Sequence, residues 1–324
     1  MTGSGEGTKR QTEGGREGRP WTRFVPWVIG LVCLAYVFYV VPLADVWRIL
    51  VVRRLWGLIP LVFGGVVVLF ILDGFALKVN MSAFGVPVSF RDALRIRGQS
   101  YALAAVNYNA GQGGLVVLFR RETGRDVVEL TGAVLSVMGV QFVVLAGALV
   151  VGLVLSDTGA LLVLRPYAWT VVLGFLVYLV AVWWSPGFLR RWRLTKPVME
   201  ARVMGNLAAI ASRLPHTAAL FAIHWAAISM VGIHPPAGDA IVRLSAIFFV
   251  VALPISIQGL GTGQATAVAL LAPYATGGGP AVVAYSLSVW ALGLLSQVLI
   301  GAGFLARATV TRSGNGSPPV ESGS

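Results

Sequence analysis

The sequence is poor in charged residues, in cysteine and in histidine. Only 12% of its 324 residues are charged, about half the share typical of soluble globular domains, and 56% are hydrophobic. A single cysteine, Cys33, excludes an internal disulfide framework, and the sequence shows no Cys/His spacing typical of a zinc site. We therefore expect a membrane protein that uses no metal, no cofactor and no redox chemistry.

Acidic residues are also scarce, since 13 Asp and Glu stand against 25 Lys and Arg and give a formal net charge of +12. In a soluble chain this excess would suggest nucleic-acid binding. Here the basic residues lie in short loops between apolar stretches, where positive charge sets membrane topology and contacts anionic headgroups. We therefore expect no nucleic-acid partner, and we expect both termini to be cytoplasmic.

Apolar stretches predict an all-α protein with a single integral membrane domain at residues 24–306. The polar segments 1–23 and 307–324 are expected to be disordered cytoplasmic tails. Two basic segments, 82–98 and 185–213, have the composition of amphipathic helices on the cytoplasmic surface. The six predicted membrane spans are residues 24–43, 57–77, 127–155, 160–184, 215–233 and 281–305.

Residues 99–119 are apolar enough to enter a bilayer, but their centre is too rich in Asn, Gln and Gly for a continuous lipid-facing helix. Basic residues flank the stretch on both sides, so the positive-inside bias places both ends in the cytoplasm. This pattern predicts a re-entrant hairpin with a buried site at its tip. The alternative is a full span whose small residues pack against a neighbouring helix. The candidate site residues here are Asn107, Asn109, Gly111, Gln112 and Gly114.

Residues 241–276 repeat this design, with two apolar arms around a polar and glycine-rich break. The topology requires this stretch to enter and leave on the external face. Broken segments in the two halves of a chain, entering from opposite sides, indicate an inverted-repeat transporter with its site near the membrane midplane. The candidate site residues of this second break are Pro254, Gln258, Gly259, Gly261 and Gln264.

A few ionisable side chains lie in or near the predicted spans. Asp73 is a functional candidate, because an unpaired carboxylate in the membrane costs about 2.5 to 3.5 kcal/mol on insertion scales. Near the end of its span it could instead snorkel or pair with Lys78. Arg97 and Arg120 would either attract a phosphate at the cytoplasmic mouth or only set topology. His224 is expected to be a hydrogen-bonded core residue.

Both glycine-rich motifs, in their order and spacing, resemble the lysylphosphatidylglycerol synthase transmembrane, or flippase-like, family of prokaryotic membrane proteins. The matching residues are 85–90, 107–114 with Arg120, and 253–264. The resemblance covers nearly the whole chain. It implies a translocase in a prokaryotic cell membrane that moves a phospholipid or lipid-linked substrate between leaflets, its headgroup held between the hairpins. A separate lipid-modifying enzyme would be a partner.

The motifs depart from the family at three positions. Ala110 stands where the family usually has Pro, and Leu115 and Gln264 stand where it usually has Glu. A carboxylate can bind a cation or a proton, whereas Gln exchanges only neutral hydrogen bonds. The tip amides are therefore expected to bind substrate or to cap broken helix ends.

Two other functions fit the same architecture. One is a small-solute secondary transporter. The other is a lipid-modifying membrane enzyme, which would need a catalytic dyad or a metal cluster. The sequence shows no catalytic constellation, because Asp73 and His224 lie in different spans. We therefore expect a transporter rather than an enzyme.

Overall fold

The computed structural model describes residues 25–40, 43–52, 55–106, 108–156, 165–253 and 258–314. Every regular element in these residues is helical, so the predicted all-α class is confirmed. The predicted tail at 1–23, Asn107 and Pro254 lie outside the described residues. The helices are α1 (Val25–Val40), α2 (Leu43–Val52), α3 (Leu58–Ala83), α4 (Phe90–Val106), α5 (Tyr108–Thr123), α6 (Val127–Leu155), α7 (Arg165–Trp184), α8 (Gly187–Arg191), α9 (Lys196–Met230), α10 (Ala237–Ala252), α11 (Thr262–Leu271) and α12 (Gly278–Gly314), with short 3-10 turns at Leu55–Gly57 and Ala272–Tyr274.

Within the described residues, three helices are long and apolar enough to cross a membrane: α3, α6 and the Gly278–Arg307 part of α12. A shorter apolar stretch, Ala168–Trp184, lies in α7. The protein is therefore a helical membrane protein. Helix α6 begins and ends at the residues predicted for the third span.

Several helices continue past the bounds that hydropathy predicts. Helix α3 ends at Ala83 rather than at residue 77, and α12 continues through the predicted end of the last span to Gly314. The part of the predicted surface segment 185–213 that follows Lys196 continues into the fifth span as α9, which is kinked at Arg202 and passes through Pro215. Hydropathy marks only the apolar part of a helix, whereas its ends are set by capping.

Helices α4 and α5 form a hairpin, here called the first hairpin. A Cβ added at Gly114 would lie 2.6 Å from Cδ1 of Leu103, although these positions would be about 16 Å apart in a continuous helix. Helices α4 and α5 therefore run back along each other as the two arms of a hairpin. The predicted surface segment 82–98 leads directly into the first arm, because α4 is one helix from Phe90.

Helices α10 and α11 form the second hairpin. A Cβ added at Gly263 would lie 2.9 Å from Cγ2 of Val251, so the two arms pack together after the break that follows Leu253. Gly259 and Gly261 have φ angles of 74° and 79°, in the left-handed region that glycine adopts without a Cβ clash. The predicted break is thus present at its predicted place.

The two hairpins enter the bundle from opposite ends of α6. At the first end, Gly85 after α3 lies beside Arg125, which directly precedes the start of α6. At the other end, Gly238 at the start of α10 packs against the backbone of Leu155, the last residue of α6. The two hairpins therefore begin at opposite ends of the bundle, and each points toward the end at which the other begins.

Each hairpin is held by its own hydrophobic cluster. The first hairpin packs with α3, α6 and α9 in a cluster that includes Met81, Ile96, Phe119, Leu130 and Ala209. The second hairpin packs with α9 and α12 in a cluster that includes Ile228, Leu244, Phe248, Leu271 and Val282. Burial of these side chains fixes how far each hairpin reaches into the bundle.

Candidate functional site

The tips of the two hairpins meet inside the bundle. Nε2 of Gln258, in the break of the second hairpin, donates a hydrogen bond to the carbonyl oxygen of Ala104, close to the end of α4. Both residues are half-buried, and the contact joins two hairpins that enter from opposite ends. Among the other candidates of the first tip, Asn109 is in the first turn of α5 and Gln112 is half-buried on the same helix.

The glycines of the two tips act in different ways. Gly259 and Gly261 make the turn of the second break through their positive φ angles. Gly111 and Gly114 lie within α5, where they allow close contact with α4: a Cβ at Gly111 would lie 2.5 Å from Cβ of Ala104. The turn of the first hairpin therefore does not use these two glycines.

Gln264 caps the second arm of the second hairpin. Its Oε1 accepts a hydrogen bond of 2.6 Å from the N–H of Gly261, at the start of α11, and only 2% of the residue is exposed. The first N–H groups of a helix have no partner within the helix, so a side-chain acceptor is needed there. Of the two expectations for the tip amides, the geometry of Gln264 fits helix capping.

We expect Gln264→Ala to lower the free energy of unfolding by about 1 to 3 kcal/mol, because it leaves a buried N–H without a partner. Thermal melting of the purified protein in detergent measures this effect. Thr266→Ala is the matched control, since the Thr266 hydroxyl donates only to the carbonyl of Thr262 within the same helix. Equal melting temperatures for both variants would contradict the capping role.

Asp73 is buried inside the bundle and is 3% exposed. It lies ten residues before the end of α3, about 15 Å along the helix axis. Its carboxylate accepts hydrogen bonds from Nε of Arg97 and from Nη1 of Arg213. The predictions that Asp73 pairs with Lys78, or snorkels from near the end of its span, are therefore wrong. Helix α3 continues past residue 77, and the partners of Asp73 come from α4 and α9.

This ion cluster connects four helices. Arg213 of α9 also donates from Nε to Oε1 of Gln141 on α6 at 2.5 Å, and the guanidinium of Arg97 lies 5.3 Å from the ring centre of Tyr101. The side chains of Arg97 and Arg213 are only 16% and 9% exposed. Asp73 thus attaches the first hairpin, through Arg97, to α3 and α9.

The second hairpin has its own buried acid, which the sequence analysis did not single out. Asp239 of α10 accepts hydrogen bonds of 2.5 Å from Ser156 and from Tyr274, and Arg243 lies 3.9 Å away. Arg243 also donates to the carbonyl of Leu270 at 2.8 Å. The spacing of four residues between an acid and a following Arg on one helix was the available sequence signal.

The last two ionisable residues considered from the sequence are His224, inside the bundle, and Arg120, at its surface. Nδ1 of His224 lies 2.6 Å from the hydroxyl of Tyr285, and the rings of His224 and Phe248 are 4.8 Å apart. The expectation that His224 is a hydrogen-bonded core residue is confirmed. Arg120 is exposed in the last turn of α5.

A large apolar cavity lies between α6, α7, α9 and α10, with a volume of about 1050 Å³. Two residues of its lining carry hydroxyl groups, Tyr178, which donates to Asn206, and Thr217. Thr217 is 4% exposed, and its hydroxyl has no hydrogen-bond partner. Arg213 of the ion cluster lies one turn earlier on α9. The cavity suits a hydrocarbon chain with one polar contact at Thr217. Its apolar lining includes Phe142, Gly147, Val151, Phe175, Leu214 and Phe249.

Among the described residues, no group of three His, Cys, Asp or Glu side chains could hold a metal ion. No family model, no curated protein and no solved structure matches the chain. The resemblance to the flippase-like family therefore stays a prediction.

Proposed function

We propose that this protein is a flippase-like translocase, which moves a lipid or lipid-linked substrate between the two leaflets of a membrane. The observation that carries the proposal is the contact of Gln258 with Ala104, through which two broken hairpins from opposite ends meet inside the bundle. Broken helices from two inverted halves that face each other are typical of a transport site near the midplane.

In this proposal the chain has six membrane spans, the hairpins are re-entrant and both termini are cytoplasmic, in the cell membrane of a prokaryote. The positive-inside bias supports this orientation, because Arg91, Arg95, Arg121 and Arg125 lie at the base of the first hairpin. The second hairpin then opens to the external face. A substrate between the tips would be reached from one side at a time.

The apolar cavity supports a lipid rather than a water-soluble substrate. A water-soluble solute needs several polar partners along its path, whereas this cavity offers mainly hydrocarbon surface with one unpartnered hydroxyl, that of Thr217. In the proposed path the hydrocarbon chain occupies the cavity beside α10, and the headgroup passes between the tips. A small-solute secondary transporter is the alternative, and a lipid-modifying enzyme is not proposed.

We expect Gly147→Trp to slow lipid translocation by about tenfold or more, equivalent to about 1.4 kcal/mol in the barrier. Gly147 is an exposed residue of the cavity lining, and a Cβ added there meets no atom within 4 Å, so the indole can be accommodated there without displacing the backbone. The measurement is the transfer of a fluorescent phospholipid between leaflets of proteoliposomes, beside the melting temperature of the same protein.

Gly139→Trp is the matched control, because Gly139 is exposed on the same helix, has equally open space and does not line the cavity. We expect it to keep the parental rate. A parental rate in Gly147→Trp would overturn the proposed lipid path. Uptake of water-soluble solutes without lipid transfer in the parent protein would favour the alternative transporter.

A further inference from the structure

A second pocket, of about 460 Å³, lies where α7 ends, α8 follows and α9 begins. Unlike the large cavity, it combines apolar residues with several charged and polar side chains. Arg190 and Arg202 contribute two positive charges, Glu200 contributes one negative charge, and Ser185 contributes a hydroxyl. The residues of this pocket play no part in the proposed transport path.

The backbone of this pocket is strained at two positions. Ser185 and Arg202 have φ angles of 48° and 52° and are two of the three described non-glycine residues with positive φ. Such conformations cost free energy for residues with a Cβ and persist only where the surroundings enforce them; they cluster at ligand sites. Both strained residues line the same pocket.

The strained conformation at Arg202 is held by Asn206, which is fully buried. Its Nδ2 donates to the carbonyl oxygens of Val198 and Arg202, at 2.9 and 2.7 Å, and its Oδ1 accepts from the hydroxyl of Tyr178 on α7. Asn206 thus supplies a donor to carbonyl groups at the kink of α9. The kink is built into the fold and places the Arg202 side chain at the pocket.

The polar groups of the pocket are available for a ligand. Oγ of Ser185 is buried and has no hydrogen-bond partner. Within the part of the chain that the structure describes, the ion pairs do not include Arg190 or Arg202. Two arginines in the lining stand against one acid, Glu200. The pKa of the neighbouring Lys196 is raised by its hydrogen bond to Glu129 and by the charge of Glu200. The pocket therefore favours an anion.

The pocket lies at the bundle end where the first hairpin enters. Lys196, at the start of α9, pairs with Glu129, at the start of α6, at 2.9 Å. Exposed tryptophans at such a position are typical of a membrane–water interface, where the indole rings lie at headgroup level. Trp183 lines the pocket and is exposed, and the same segment of the chain carries the exposed residues Trp184, Phe188 and Trp192.

We propose that this pocket binds a phosphate group, held between Arg190 and Arg202 with the Ser185 hydroxyl as a further donor. Guanidinium groups bind phosphate oxygens through charge-assisted, often bidentate hydrogen bonds. The phosphate belongs to a lipid headgroup of the adjacent leaflet or to a soluble phosphate compound. The exposed aromatic residues favour the lipid headgroup.

The test uses the purified full-length protein in detergent. The melting temperature is followed while dioctanoylphosphatidylglycerol, a short-chain anionic lipid, or glycerol phosphate is added, because a ligand that binds the folded state raises it with concentration. We expect the lipid to stabilise the parent protein. The double substitution Arg190→Gln/Arg202→Gln, here called the pocket variant, should weaken the apparent affinity for the lipid by about tenfold or more. Arg121→Gln/Arg191→Gln removes the same charge from exposed positions outside the pocket and should keep the parental affinity.

Ser185→Ala separates ligand binding from a structural role. It removes a buried hydroxyl that has no partner, so the ligand-free protein should melt no lower than the parent while its affinity for the lipid falls. If glycerol phosphate but not the lipid stabilised the parent protein, and the pocket variant lost this effect, the pocket would bind a soluble phosphate compound. The same affinity in parent, pocket variant and control would overturn it.

Discussion

Replacing Asp73 with alanine should destabilise the protein by about 3 to 5 kcal/mol, the largest effect we expect from a single substitution. Asp73 is the shared partner of Arg97 and Arg213, which are 16% and 9% exposed. Without the carboxylate, two guanidinium groups face each other in the bundle interior with no negative charge between them. Thermal melting in detergent and the yield of monodisperse protein measure the loss.

Glu122→Ala is the control for this prediction. Glu122 also pairs with an arginine, Arg95, at 2.6 Å, but both side chains are well exposed at 39% and 47%. Exposed ion pairs contribute about 0 to 1 kcal/mol. If Asp73→Ala and Glu122→Ala melted alike, the buried cluster would not hold the first hairpin. A partial recovery in Asp73→Ala/Arg213→Met would show that the loss comes from the unpaired charge.

The second large effect is expected at Gly111. Gly111→Ala should lower the free energy of unfolding by about 1 to 3 kcal/mol, because overpacking forces neighbouring elements apart. The added Cβ would lie 2.5 Å from Cβ and 2.9 Å from Cα of Ala104, so α4 and α5 would have to separate. Since Ala104 also accepts the hydrogen bond from Gln258, lipid translocation should fall together with stability.

Gly113→Ala is the matched control on the same helix. Gly113 is exposed, and a Cβ added there meets no atom within 4 Å. Alanine at this position should stabilise the helix by up to about 1 kcal/mol through its higher helix propensity. If the two alanine variants had equal melting temperatures and equal transport rates, close packing of α4 on α5 would not set the position of the tip.

The sequence located both breaks but did not show how the glycines of each break are used. At the second break, Gly259 and Gly261 have the positive φ angles expected of a turn. At the first, Gly111 and Gly114 lie within α5, which already begins at Tyr108. Composition does not distinguish a glycine that makes a turn from one that allows close packing, because both need only the absence of a Cβ.

The ion clusters needed the tertiary structure. Asp73 bonds to Arg97, 24 residues away, and to Arg213, 140 residues away, and no local pattern connects these positions. The nearby Lys78 was the local choice of partner. The sequence also did not reveal the strained backbone at Ser185 or the kink at Arg202. The kink depends on Asn206 and Tyr178, which come from two different helices.

The sequence by itself determined that this is an all-helical membrane protein with two polar breaks in apolar segments. These properties follow from the composition of single segments, because a bilayer interior rejects polar backbone that lacks an internal partner. Only the tertiary structure decided that the breaks face each other, that Asp73 and Asp239 are each paired with arginine, and that an apolar cavity and a cationic pocket lie on α9. Those features depend on which distant side chains meet when the helices pack.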